Sequence, residues 1–118
     1  MGDADLEARP FEVRMYIDEF GRVPFAEWCS ALADRATAAR IQMRITRVRA
    51  GLLGACGFVG DGVYELKIQC GPGYRIYFGF SGPHRIVLLL GGTKQTQDRD
   101  IGKARIYWAS HQGEIHEA

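Results

Sequence analysis

Cysteine and histidine are scarce in this chain and badly spaced for metal or disulfide chemistry. Its 118 residues include three cysteines, Cys29, Cys56 and Cys70, an odd number with no CxxC pair and apolar neighbours. That pattern excludes a disulfide framework and a zinc knuckle, and predicts reduced thiols in a cytoplasmic protein. His111 and His116 stand five apart in the polar tail HQGEIH, a poor chelate, so no metal and no other cofactor is expected. His84 falls in a predicted turn with no catalytic role. Long apolar runs are missing too. The longest, IVLLLGG at 86–92, falls far short of the ~20 residues a membrane span needs, so no membrane partner is expected. The opening MGDADLEARP is polar and partly acidic, unlike a secretory leader, and Leu6 stands where a myristoylation signal wants Ser or Thr. Neither charge sign dominates: 15 Lys and Arg oppose 14 Asp and Glu, for a net charge of +1. The balance therefore suggests no polyanionic partner, although the distribution permits one. Internal repeats and linkers are absent.

What remains is the composition of one soluble globular domain, 47% apolar and 25% charged. The domain spans 1–118, with an ordered core at about 11–110 and polar termini, where Asp3, Asp5, Glu7, Glu114 and Glu117 gather. FEVRMYI at 11–17 alternates as a strand. Pro24 suits a helix start, and PFAEWCSALAD reads as helix through Phe25, Trp28 and Leu32. Asp34 breaks it and caps a second helix running to about Ala50 before Gly51, with Ile41, Ile45, Val48 and Leu52 at helical spacing. GLLGACGFVGDG at 51–62 holds five glycines and reads as a loop; it lacks the strand-then-helix setting of a nucleotide loop. Three strands follow, at 63–70, 74–80 and 85–92, joined by the short turns GPG and SGPH into a meander. The third is apolar on both faces, as a central covered strand would be. Asp98 can cap a last helix with Ile101, Ala104, Arg105 and Trp108 on one stripe. The order is β-α-α-β-β-β-α, an α+β domain whose small, mainly antiparallel sheet carries the helical hairpin, and its other helix, on one face. Trp28, Ile41, Ile45 and Trp108 are expected in the core.

The middle strands pose the functional question. In GPGYRIYFGF at 71–80, Tyr74, Ile76, Phe78 and Phe80 share one side and Arg75 and Tyr77 the other. Register fixes the neighbours: Leu66 and Ile68 must share the core face with Ile76 and Phe78. Lys67 and Gln69 then join Arg75 and Tyr77 on the opposite face, which is expected to point outward. GGTKQTQ adds Lys94, Gln95 and Gln97 at the sheet's end. By composition alone Arg75 reads as a solvated strand residue. Arg40, Arg44 and Arg47 follow one helix face and read either as a wet surface or as phosphate contacts.

YELKIQCGPGYRIYFGF and LLLGGTKQTQDRDIGKA, with ARIQMRITRVRAG before them, resemble the RelE/ParE toxin superfamily and its HigB-like addiction module killer branch. The resemblance runs from about Phe11 to Trp108. It implies a small cytoplasmic bacterial toxin of a type II toxin–antitoxin system, neutralised by a cognate antitoxin, a small helix-turn-helix DNA-binding protein. It further implies a metal-independent endoribonuclease, an mRNA interferase that cleaves mRNA on the translating 70S ribosome and so inhibits translation. ParE-type members bind DNA gyrase instead, and a third possibility is an inactive module that binds an antitoxin.

The resemblance matches Arg75 to an arginine that stabilises the scissile phosphate. Lys67 sits near a basic position on the preceding strand, and Lys94 falls in the loop where relatives carry a basic residue. Tyr77 reads as a catalytic group or as a packing partner of Arg75. Gln69, Gln97, Arg40, Arg44 and Arg47 are the expected RNA contacts. The implied chemistry, attack of a ribose 2′-hydroxyl on the adjacent phosphate, needs positive charge and a proton acceptor. An arginine fork suits phosphate oxygens and lysine supplies a point charge. Glu65 is the one acid on that strand face, so a base is not obvious.

Overall fold

The computed structural model describes residues 9–117, with side chains as far as Gly113. Asp3, Asp5 and Glu7, and the side chains of Glu114, His116 and Glu117, lie outside the described residues. The elements in chain order are β1 (Glu12–Met15), α1 (Pro24–Ser30), α2 (Arg35–Arg49), β2 (Cys56–Gly60), β3 (Val63–Ile68), β4 (Tyr74–Phe80), β5 (Arg85–Thr93), a 3₁₀ turn (Lys94–Thr96) and α3 (Gln97–Glu117). Asp34 caps α2 as expected, its carboxylate accepting from the Ala36 amide and the Thr37 hydroxyl. Gly51, at φ +92°, ends the helix in a backbone conformation that favours glycine. Leu52 lies beyond that stop and is half exposed, so it does not extend the buried stripe of Ile41, Ile45 and Val48.

One strand was hidden in the glycine-rich segment. β2 pairs antiparallel with β3, Cys56 opposite Leu66 and Phe58 opposite Tyr64. The link Asp61-Gly62 lies in left-handed backbone, at φ +52° and +82°, as tight hairpins require. The sheet therefore has five strands, ordered β1-β5-β4-β3-β2. It is mixed, because β1 runs parallel to β5, Val13 beside Ile86. β5 is an interior strand with partners on both sides, and β4 holds the centre. The β3–β4 register is the one the apolar pattern demands: Leu66 faces Ile76, and Lys67 faces Arg75.

The largest correction concerns layers. Both faces of the sheet are covered. One carries α1 and α2, with Phe25, Ile41, Ile45 and Val48 against Leu66, Ile76, Phe78 and Leu88. The other carries α3, with Ala104 and Trp108 against Val63, Tyr77, Val87 and Leu89. Two strand glycines let the rings approach. A Cβ at Gly91 would stand 2.1 Å from the Trp28 ring, and one at Gly79 would stand 2.6 Å from Trp108. No helix among the described residues is long and apolar enough to cross a membrane.

Candidate functional site

The face expected to be open lies under α3. Alternation along β3 sends Glu65 and Lys67 to that side, and alternation along β4 sends Arg75 and Tyr77. Cross-strand pairing sets Glu65 against Tyr77 and Lys67 against Arg75. The turn into α3 then closes over them. Gly92, opposite Arg75, makes this possible: a Cβ there would overlap Asp100 at 1.9 Å.

Glu65 organises the cluster. Its side chain is only 6% exposed, with Oε2 3.9 Å from Arg75 Nε and Oε1 3.9 Å from Lys67 Nζ. Gln97 Nε2 donates to both carboxylate oxygens, at 3.0 and 3.3 Å, which fixes the carboxylate plane. Arg75, 11% exposed, donates through Nη1 to the Tyr74 carbonyl at 3.3 Å, while its buried Nε has no hydrogen-bond acceptor. Lys67 is 44% exposed and stands at the rim. Lys94 is also at the rim. Its amide donates to the Gly73 carbonyl at 2.8 Å, and a Cβ at Gly73 would meet Lys94 Cβ and Arg75 Nη1 at 3.6 Å each. A second buried carboxylate, Asp100, accepts from the Thr96 hydroxyl at 2.5 Å and lies 3.7 Å from Arg99 Nε.

Tyr77 is fully buried and its hydroxyl has no hydrogen-bond partner. Burial pushes the phenol far above its ordinary range, and the charges of Glu65 and Asp100 push the same way. It is a core residue carrying an unsatisfied hydroxyl and is out of a substrate's reach. That corrects the expectation of an outward catalytic tyrosine.

The predicted residues thus divide. Lys67, Arg75, Lys94 and Gln97 are brought together. Gln69 is exposed one residue past the end of β3. Arg40, Arg44 and Arg47 belong to α2, across the sheet from Arg75. Arg44 is drawn inward, donating to the Ala55 carbonyl at 3.0 Å, and its desolvation lowers the guanidinium pKa. The sequence pattern does not mark Glu65, Thr96 or Asp100 as site residues. Glu65 alone had a legible signal, its period-two relation to Lys67. No cluster of three or more metal-ligating side chains occurs among the described residues.

No protein-family model matches the sequence. The chain is 40% identical over 82 residues to an uncharacterized protein of Haemophilus influenzae, a match spanning 70% of this chain and 83% of the relative. The two proteins belong to one family. The aligned length is most of both chains, so the relative is expected to share the core of this fold.

Proposed function

We propose that the protein is a toxin of the RelE/ParE superfamily acting as a ribosome-dependent mRNA endoribonuclease, with Glu65 as the base that the strand pattern left unidentified. The observation that carries this reading is the convergence of Arg75 Nε and Lys67 Nζ on one buried carboxylate, each at 3.9 Å. That same Arg75 Nε, too far from the carboxylate for a hydrogen bond, has no acceptor. A buried unpaired donor costs roughly 1–3 kcal/mol, which a phosphate oxygen would recover.

The chemistry balances with these groups. Glu65 takes the 2′-hydroxyl proton and the 2′-oxygen bonds to phosphorus. The P–O5′ bond breaks, and the Lys67 ammonium gives the departing oxygen a proton. A 2′,3′-cyclic phosphate and a 5′-hydroxyl result. Arg75 and Lys94 offset the charge that builds on the phosphorane. For Glu65 to accept the 2′-hydroxyl proton, Gln97 has to give up at least one of its two hydrogen bonds to the carboxylate.

A second reading draws on the same closure. The α3 cover over Arg75 and Glu65 suits a non-enzymatic module that binds a partner, either DNA gyrase or an antitoxin alone. Expression of wild type and Arg75→Ala in bacteria separates the three. Growth arrest with mRNA cuts inside codons, abolished by Arg75→Ala, supports the nuclease. Arrest with damaged DNA and intact mRNA supports the gyrase inhibitor, and no arrest supports the binding module. For the nuclease, Glu65→Gln is expected to slow cleavage by about 10²–10⁴-fold, the range typical of general-base loss. Cleavage at the wild-type rate would remove Glu65 from the mechanism.

A further inference from the structure

The outward side of α2 has an order that neither the fold nor the cluster at Arg75 uses. We infer that this face is a docking surface for an acidic amphipathic helix of a protein partner, paired with α2 as a short heterotypic coiled coil. Ala36, Ala39, Met43, Thr46 and Ala50 recur at intervals of three and four residues, the a and d positions of a heptad. All five are exposed, and Met43, the largest, is 65% exposed. They lie opposite Thr37, Ile41, Ile45 and Val48, which bury the helix against the sheet. α2 thus presents two seams, one filled and one open.

The flanks say what fills the open one. The e and g positions are Arg40, Arg47, Arg35, Gln42 and Arg49, so four of the five are arginine and none is acidic. No acidic residue occurs anywhere in the helix, RATAARIQMRITRVR. The ion pairs of the described residues engage Arg14, Arg22, Lys67, Arg75, Arg85, Arg99 and Arg105. Arg35, Arg40, Arg47 and Arg49 take no part in them. Flanking charges in a coiled coil set partner choice, so a second copy of this helix is repelled and a helix flanked by Glu or Asp is attracted. Small seam residues let the axes approach toward the close end of the usual ~8–10 Å. At 15 residues, α2 is about 22 Å long and matches a partner of about four turns. A nucleic-acid backbone would engage the guanidinium groups but has no use for an apolar ridge between them.

The inference stands apart from the nuclease reading, since it concerns the opposite side of the sheet. The full chain is titrated by fluorescence anisotropy with labelled helical peptides of about three heptads. One has Leu at a and d with Glu at e and g, a second has Leu with Lys, a third has Ser with Glu, and single-stranded RNA is the fourth probe. The Leu–Glu peptide is expected to bind saturably at one per chain. Met43→Ser should weaken it about ten-fold, and the Ser–Glu and Leu–Lys peptides should bind at least as weakly. Arg40→Glu with Arg47→Glu should reverse the preference toward the Leu–Lys peptide, a switch that a damaged fold would not give. Far-UV circular dichroism checks that these exposed substitutions leave the helix intact. Equal binding of the Ser–Glu peptide, failure of the charge swap to reverse preference, or RNA binding as tight as the peptide and indifferent to Met43→Ser would each overturn the assignment.

Discussion

Tyr77 shows how much one side chain can depend on what covers it. Its hydroxyl is buried without a partner, and its neighbours Glu65 and Asp100 disfavour ionisation. Removing an unsatisfied buried hydroxyl while keeping the ring should not destabilise the fold. Tyr77→Phe is expected to be neutral or stabilising by about 0–1 kcal/mol in urea titration. The pH dependence follows from the direction of the shift. A phenol whose folded pKa is raised contributes stability in full below the ordinary tyrosine range. That contribution is lost as pH rises from there through the folded value, because the unfolded chain ionises first. Wild type should therefore lose stability above about pH 10 more steeply than Tyr77→Phe does. Parallel alkaline slopes for the two proteins would place the phenol in water.

At the scale of elements, local chemistry made most of the fold legible. Asp34, Gly51 and the alternation of 74–80 mark a helix start, a helix stop and a strand where the structure has them. β2 was hidden because its glycines suggested a loop, although Asp61-Gly62 is a strong hairpin signal once a strand is sought on each side. The covering helix was illegible for a different reason. Glu65, Lys67, Arg75 and Tyr77 alternate as an exposed face would, and nothing local records that Gly79 and Gly92 make room for α3 above them. The docking of α3 can be tested at that contact. Gly79→Ala forces a methyl against Trp108 and should cost about 1–3 kcal/mol, read from the denaturation midpoint. Trp108→Leu alone is also expected to destabilise. The two together should cost less than their sum, since the smaller side chain gives the methyl room. Strict additivity would mean that α3 does not rest on Gly79.

Taken whole, the molecule is one sheet between two apolar layers, and each layer carries its own tryptophan. Trp28 packs with the α1–α2 layer and Trp108 with α3. Since β3, β4 and β5 contribute to both, unfolding is expected to be a single transition. Fluorescence of Trp28→Phe, which reports Trp108, should melt together with the far-UV signal of the same protein, and likewise for Trp108→Phe. A fluorescence midpoint well below the far-UV midpoint in Trp28→Phe would identify α3 as a layer that detaches by itself.

The parallel pairing of β1 with β5 carries a consequence for how the chain is made. Glu12 lies beside Arg85, so β1 has no neighbour in the sheet until 73 further residues have been added. The α1–α2 hairpin and the β2–β3–β4 meander join sequence neighbours and can assemble meanwhile, at small loss of chain entropy. β1 must wait, its backbone groups satisfied by water. Capture of β1 therefore waits on the synthesis of β5, and until it occurs the outer edge of β5 stays open to pairing with another nascent chain.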